Sequence, residues 1–398
     1  MPEKRSRRHS KGQGRNVAVL WDPEGSWSIS AIEGAAEFGK RQGGWRLLCA
    51  PRDRQLRIRL PRGWKGDGIL ARLLSRKDRE RCLETGLPIV DLETIDSGRY
   101  HPRIGKVVTN DHVRGMLALE HLLERQVHQI VCFNPPYQEY SPLRVQVFQR
   151  LAHERGFDCP LFWTVSDQHW WKMGWDEQQV RITNWLKQLP PGTGIFTPDG
   201  RQGRVLTECC QVLEILVPDE LAIVTGDDDS LLCSISSPPL SGVVLASRQH
   251  GYEAAALLHR MMEGEAAPTE PVLIDPLKLV IRQSTDVLKY DNPHVVQAMR
   301  FIRDYACTGI NVDDVIQHVP ISRRGLEDHF QKAVGQTLGW EIRRVRFERA
   351  KVELANTDLS ISQVATACGF SGISQFCNSF RKEFGETPSS YRQRLRGG

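Results

Sequence analysis

From Asn16 onward, apolar and polar positions alternate in blocks. "NVAVLW" (16–21) is a short apolar run, and "SISAIEGAAEFGKRQ" (28–42) repeats its apolar positions at helical spacing. "GWRLLCA" (44–50), "GDGILAR" (66–72) and "GLPIVDLE" (86–93) again predict strands. "VRGMLALEHLLERQ" (113–126) predicts an amphipathic helix, and "HQIVCFN" (128–134) a buried strand. "GTGIFTPD" (192–199), a helix over 201–214 and "ELAIVTGDDD" (220–229) continue the alternation. Strands this apolar, separated by helices, predict parallel sheets covered on both faces. Two doubly wound α/β halves fit within 16–288.

Beyond residue 290 the pattern is helical, and one short sentence is written twice. "ISRRGLEDHFQKAVGQT" returns about fifty residues later within "GFSGISQFCNSFRKEFGETPSSYR" (369–392). Phe330, Lys332, Gly335 and Thr337 meet Phe380, Lys382, Gly385 and Thr387 at an offset of fifty. Upstream the offset is forty-nine, so that Val315-Ile316 meets Val364-Ala365 and Ser322 meets Ser371. Each copy reads as a short apolar helix, a turn and a longer helix, with Ser322 and Ser371 expected as N-caps. Leu326, Phe330 and Val334 share one face of the first longer helix, as do Phe376, Phe380 and Phe384 of the second. The opposite face is polar. In a helix-turn-helix, that second helix enters the major groove of DNA. Between the copies, "LGWEIRRVRFERAKVELANT" (338–357) predicts one long, charged, amphipathic helix that spaces the two units. "DNP" (291–293) and "ETP" (386–388) each set a capping residue before a proline.

At 398 residues, 40% hydrophobic and 25% charged, the chain suits two or three globular domains. Charge is uneven. Residues 1–15 hold six Lys/Arg and one Glu, and 289–398 hold sixteen Lys/Arg against twelve Asp/Glu. The middle holds thirty-one against thirty-five. Basic ends around a mildly acidic body fit a nucleic-acid contact at one or both ends, although a solvated tail gives the same count. The ten cysteines lack metal-ligand spacing and read as reduced thiols. No apolar run reaches bilayer length, and no h-region follows the basic N-terminus, so a cytoplasmic protein without a membrane partner is expected. No motif calls for a cofactor or a metal.

Ligands of open α/β sheets bind outside the carboxyl ends of the strands. Those ends carry Asp22, Glu24 and Trp27 after the first strand, and Arg144 after "IVCFN". Asp199 and Arg201 follow "GIFTP", and Asp227, Asp228 and Asp229 follow "AIVTG". Carboxylates and guanidinium groups make strong, directed hydrogen bonds to hydroxyls, and an aromatic ring covers the C–H face of a sugar. Polar strand ends also serve as helix caps or loop surface.

Over nearly all of 16–285 the chain resembles the sugar-sensing domain of the lac-repressor family, which is like periplasmic sugar-binding proteins. The resemblance rests on "VVTNDHVRGMLALEHLLERQVHQIVCF", "YSPLRVQVFQRLAHERGF", "LVPDELAIVTGDDD" and "ISSPPLSGVVLASRQHGYEAAALLHRMMEG". It implies sugar contacts from Arg144, Asp199, Arg201 and Asp227 or Asp228, and the "TGDDD" spacing leaves open which acidic residue faces inward. "WDEQQVRITNWLKQLPPGTGIF" (175–196) is similar to the sensor of xylose-operon regulators, a subfamily without an N-terminal DNA-binding headpiece. Over about 290–394 the chain resembles the AraC family, on the long signature at 369–392 and "RFERAKVELANTDLSISQVA". That likeness implies base reading by Arg324, Glu327 and Asp328, with Arg323 adjacent, and by Ile373, Ser374, Gln375 and Asn378.

The expected organisation is a basic disordered tail (1–15), a two-lobed sensor (16–285), a linker (286–292) and an all-α DNA-binding domain (293–394). Within the last, the first helix-turn-helix is expected over about 312–334, the linker helix over 338–356 and the second unit over 361–384. The expected function is sugar-responsive transcriptional regulation, with double-stranded DNA, a sugar (xylose), a second copy of the chain and, for an activator, RNA polymerase as partners. Another saccharide and a repressor stay open. A phosphorylation-controlled receiver is disfavoured because the acidic triplet comes after many strands. An enzyme is disfavoured because no catalytic motif stands in context.

Overall fold

The computed structural model describes residues 14–54, 57–93, 100–135, 141–162, 170, 172–286 and 292–396. Most of the basic tail and of the expected linker lies outside these residues. The chain divides into two compact units, Met1–Val287 and Leu288–Gly398.

The first unit has two lobes. β1 (Asn16–Leu20), α1 (Ser26–Arg41), β2 (Arg46–Cys49), β3 (Gly68–Ala71), α2 (Arg76–Glu84), β4 (Ile89–Asp91) and β5 (Ile104–Thr109) build the first. The chain then crosses over. α3 (Asp111–Glu124), β6 (Gln129–Phe133), α4 (Ser141–Glu154), β7 (Leu161–Phe162), α5 (Trp175–Leu186) and β8 (Thr193–Thr197) open the second lobe. α6 (Gly200–Val212), β9 (Leu221–Thr225), α7 (Ser230–Ile235) and β10 (Ser241–Val244) continue it. α8 (Ser247–Met262) returns to the first lobe with β11 (Val272–Ile274), and β12 (Lys278–Val280) goes back to the second.

The sheets run β11-β5-β4-β3-β1-β2 and β12-β10-β9-β8-β6-β7. Every pairing is parallel except β12 with β10, an antiparallel edge that the alternation of strands and helices does not announce. Central strands such as β8 and β9 are buried along their whole length, which is why they read as unbroken apolar runs.

α1 and α8 pack so closely that two glycines carry the contact. A methyl group at Gly251 would overlap the carbonyl of Ala31, and one at Gly34 the carbonyl of Arg248. Backbone cannot yield as a side-chain tip can. Gly251→Ala is therefore expected to cost about 1–3 kcal/mol of stability through overpacking, measured as a lower melting temperature of the sensor.

The second unit is helical: α9 (Pro293–Tyr305), α10 (Val312–His318), α11 (Arg323–Val334), α12 (Leu338–Asn356), α13 (Ile361–Ala367), α14 (Ile373–Phe384) and α15 (Pro388–Arg396). The repeated Lys-x-x-Gly-x-Thr is a helix stop followed by a helix start. Gly335 and Gly385 adopt left-handed φ of 74° and 76° as C-caps. Thr337 Oγ1 accepts the N–H of Trp340 at 3.2 Å, and Thr387 Oγ1 that of Ser390 at 3.2 Å. Asn311 and Ser360, also forty-nine apart, close capping boxes with Asp314 and Gln363.

α12 departs from a single amphipathic stripe. Leu338 and Ile342 pack into the core under the first helix-turn-helix, whereas Phe347, Ala350 and Leu354 pack under the second. From Ile342 to Phe347 the apolar face turns by roughly 140° at 3.6 residues per turn. One rod thus serves two cores. At the change of face, buried Arg346 donates Nε to the carbonyl of Ala306 (2.7 Å) and Nη2 to that of Ile310 (2.6 Å). Its guanidinium carbon lies 5.7 Å from the centre of the Phe370 ring, in the second unit's turn.

Candidate functional site

A cleft enclosing about 150 Å³ lies between the two lobes. The first lobe contributes Glu24, Trp27, Arg72, Glu93 and Thr109, and α8 adds His250. The second lobe contributes Arg144, Asp199, Arg201, Asp227 and Asp229. Every charged member stands at or just past the carboxyl end of a strand or on the helix that follows, where short loops leave polar groups facing the gap. Of the residues expected from sequence to meet a sugar, Trp27, Arg144, Asp199, Arg201 and Asp227 line this one cleft.

Asp228 does not. Its carboxylate pairs in fork geometry with Arg282, at 2.8 Å to Nη1 and 3.0 Å to Nη2. The "TGDDD" turn explains the split. Thr225 Oγ1 donates to the carbonyl of Asp227 (3.0 Å), and the N–H of Asp228 donates to the carbonyl of Val243 (2.8 Å). Asp227 and Asp229 line the cleft, whereas Asp228 between them is held in the body of the lobe. Contrary to the expectation from sequence, Asp228 does not line the cleft, and Asp229 does. Asp22 is not part of the cleft lining and pairs with Arg52.

Several polar groups in the cleft have two tasks. Asp199 caps α6 by accepting the N–H of Gln202 at 3.0 Å, and Asp229 caps α7 by accepting that of Leu232 at 3.1 Å. Arg144 Nη1 reaches the carbonyl of Pro198 at 3.4 Å. Burial raises the Asp227 carboxyl above its ordinary pKa, opposed by the positive charges of Arg144 and Arg114.

Arg72, Glu93 and His250 were not anticipated. Arg72 donates Nε and Nη2 to one Glu93 oxygen at 3.0 and 2.6 Å, and its guanidinium carbon lies 5.3 Å from the centre of the Trp27 ring. Both residues follow strands, β3 and β4, whose apolar runs are legible in the sequence, and the strand-end rule applied there points to them. His250 gave no local signal. Its Nε2 donates to the carbonyl of Val107 at 2.7 Å, and the ring meets Trp27 edge-on at 5.3 Å. Burial lowers its pKa to about 4, so at neutral pH Nδ1 carries a lone pair, which has no partner among the described residues.

Asp91 holds the two strand ends that carry Arg72 and Glu93, accepting the N–H groups of Leu73 and Glu93 at 3.0 Å each. Burial lifts its pKa from 3.8 to about 7. The folded chain therefore holds this proton more tightly than the unfolded chain, and stability falls as pH rises between those values. Asp91→Asn is expected to flatten that decline, read as the difference in melting temperature between pH 5 and pH 8.

In the helical unit, Arg323, Arg324, Glu327 and Asp328 are exposed on α11, opposite buried Leu326 and Phe330. Ile373, Ser374, Gln375 and Asn378 are exposed on α14, opposite buried Phe376 and Phe380. Arg323 pairs with Asp313 and lies 3.5 Å from Glu327, while Arg324 stands 4.0 Å from Asp328 with its side chain 95% exposed. Ser322 caps α11 as expected, accepting the N–H of Gly325 at 3.3 Å. Ser371 does not cap α14: Gly372 occupies the N-cap position, and no side chain bonds there.

Comparison with known proteins adds a second line of argument. Residues 119–285 match a periplasmic binding protein-like domain, and residues 315–394 match a helix-turn-helix domain. The chain is 30% identical to the xylose operon regulatory protein of Escherichia coli K12, over 94% of this chain and 96% of that one. It is 32% identical to the protein of the same name from Haemophilus influenzae, over 82% and 84%. A solved xylose-binding transcription activator superposes with a TM-score of 0.79 at 28% identity, covering 96% of this chain and 99% of the other.

Proposed function

Because the chain belongs to the family of xylose operon regulatory proteins, sugar-responsive regulators of transcription with an AraC-type DNA-binding domain, we propose that its effector is D-xylose and that binding it turns transcription on. The observation that carries the choice of ligand is the cleft. About 150 Å³ lies between paired carboxylates and guanidinium groups, with Trp27 on one side. A cavity of that size admits one six-membered ring, which favours a monosaccharide over an oligosaccharide. Asp227 and Asp199 would accept hydroxyl hydrogens, Arg144 and Arg201 would donate, and Nδ1 of His250 would accept at the buried wall. Lobes that share a ligand close on it, and closure shifts the population of chains able to grip DNA. A homodimer acting with RNA polymerase completes the proposal.

Isothermal titration of the full-length protein with D-xylose, beside arabinose, ribose and glucose, tests the ligand. Selective binding of xylose supports the reading. Heat with another of these sugars reassigns the effector, and no heat with any of them removes xylose.

For DNA reading, Arg324→Ala is expected to relax discrimination at one base pair and to cost about 1–3 kcal/mol of binding. Fluorescence anisotropy against single-base operator variants checks this. Uniform weakening across the variants would make Arg324 a phosphate contact instead.

A further inference from the structure

The two reader helices begin differently, although their sequences align. In the first, the Ser322 hydroxyl oxygen accepts a backbone N–H and caps the helix. In the second, Ser371 turns the other way. Its backbone N–H (3.2 Å) and its hydroxyl (2.8 Å) both donate to Oε1 of Gln375, one helical turn on.

This contact settles which way the Gln375 amide points. A backbone N–H can only donate, so the atom facing it must be the amide oxygen. Two donors occupy the two lone pairs of that oxygen. Nε2, the end with two hydrogens, is left to face outward from an exposed position on α14.

We propose that Ser371 makes Gln375 a donor-only reader of the major groove and thereby selects guanine at the base pair it meets. The proposal rests on the DNA-reading function assigned above. A glutamine with both ends open pairs with adenine, accepting from N6 and donating to N7. With Oε1 held by Ser371, acceptance from adenine N6 or cytosine N4 is unavailable. Guanine offers N7 and O6 side by side, two acceptors for two N–H hydrogens, whereas adenine sets a second donor against Nε2. Ser371 touches no base in this account. It is a positioning residue, acting through Gln375.

The experiment uses the full-length protein with D-xylose present. A duplex is first selected from a randomised pool, and affinity for its single-base variants is then followed by fluorescence anisotropy. Gln375→Ala is expected to abolish discrimination at one base pair, which identifies the pair that Gln375 reads. There the unaltered protein should prefer guanine over adenine by about tenfold, the scale of a good two-bond contact. Replacing that guanine by 7-deazaguanine should lower affinity. Ser371→Ala removes the hydroxyl donor but keeps the backbone N–H, so it should free one lone pair of Oε1 to accept from adenine N6 and lower the preference in part, and Ser371→Thr, which keeps the hydroxyl, should retain it.

Three results would overturn the proposal: preference of the unaltered protein for adenine at that pair, an unchanged profile in Ser371→Ala, or an unchanged profile in Gln375→Ala. A protein that selects no sequence from the pool would overturn the DNA-reading function itself, and this assignment with it.

Discussion

Asp227→Ala is expected to lower affinity for D-xylose about a hundredfold, the scale of a lost hydrogen bond to a charged group in a desolvated site. Its neighbour should behave in the opposite way. Asp228→Ala breaks the buried pair with Arg282, in which the side chains are only 6% and 19% exposed, and should cost about 3–5 kcal/mol of stability. Because the Asp228 side chain lies outside the cleft, its effect on sugar affinity should be much the smaller of the two. Titration calorimetry and thermal melting of both variants read the two quantities separately. The reverse outcome, with Asp228→Ala losing sugar and Asp227→Ala losing stability, would mean that the turn presents its other face to the ligand.

The second large effect is expected at Arg346. Arg346→Met keeps much of the stem but leaves the carbonyls of Ala306 and Ile310 without their donor. One buried and one half-buried acceptor stranded together cost about 2–5 kcal/mol. The damage should centre where the two helix-turn-helix units meet, because Gly369 packs directly against Ala306 and Cys307. Hydrogen exchange resolved by mass spectrometry should show protection lost around 306–310 and 369–376, with the sensor unaffected. DNA affinity should fall with it, since two readers that are not held in register bind as two weak ones. Unchanged protection would show that apolar packing alone joins the units.

Much of this architecture can be read without coordinates, for a physical reason. Strand and helix alternation over 16–262, the repeated helical units and the caps at Asn292 and Ser322 depend on periodicity or on neighbours within a few residues. The cleft residues recognised in advance, Trp27, Arg144, Asp199, Arg201 and Asp227, follow from the rule that ligands sit past strand ends, joined to a family likeness.

What stayed hidden depends on partners far away in the chain. Asp228 is taken out of the cleft by an arginine fifty-four residues on. His250 reaches the cleft on α8, a helix that returns to the first lobe after β10 of the second. β12 is antiparallel because the chain crosses between lobes a third time just before it. Ser371 looked like a cap because its aligned partner is one. In the fold Gly372 stands at the N-cap, and the Ser371 hydroxyl donates to the Gln375 amide oxygen instead.

The change of face along α12 has a consequence for how the DNA site can evolve. Adding one residue to this helix would swing the second reader by about 100° and advance it by about 1.5 Å. Adding one base pair between half-sites swings the second target by about 35° and advances it by about 3.4 Å. The two screws have no small common step. A lengthened or shortened spacer in the operator therefore cannot be matched by an insertion or deletion in α12. On the proposed reading of DNA by α11 and α14, drift in the operator would be followed by substitution at their exposed positions, while the distance between their targets stays locked.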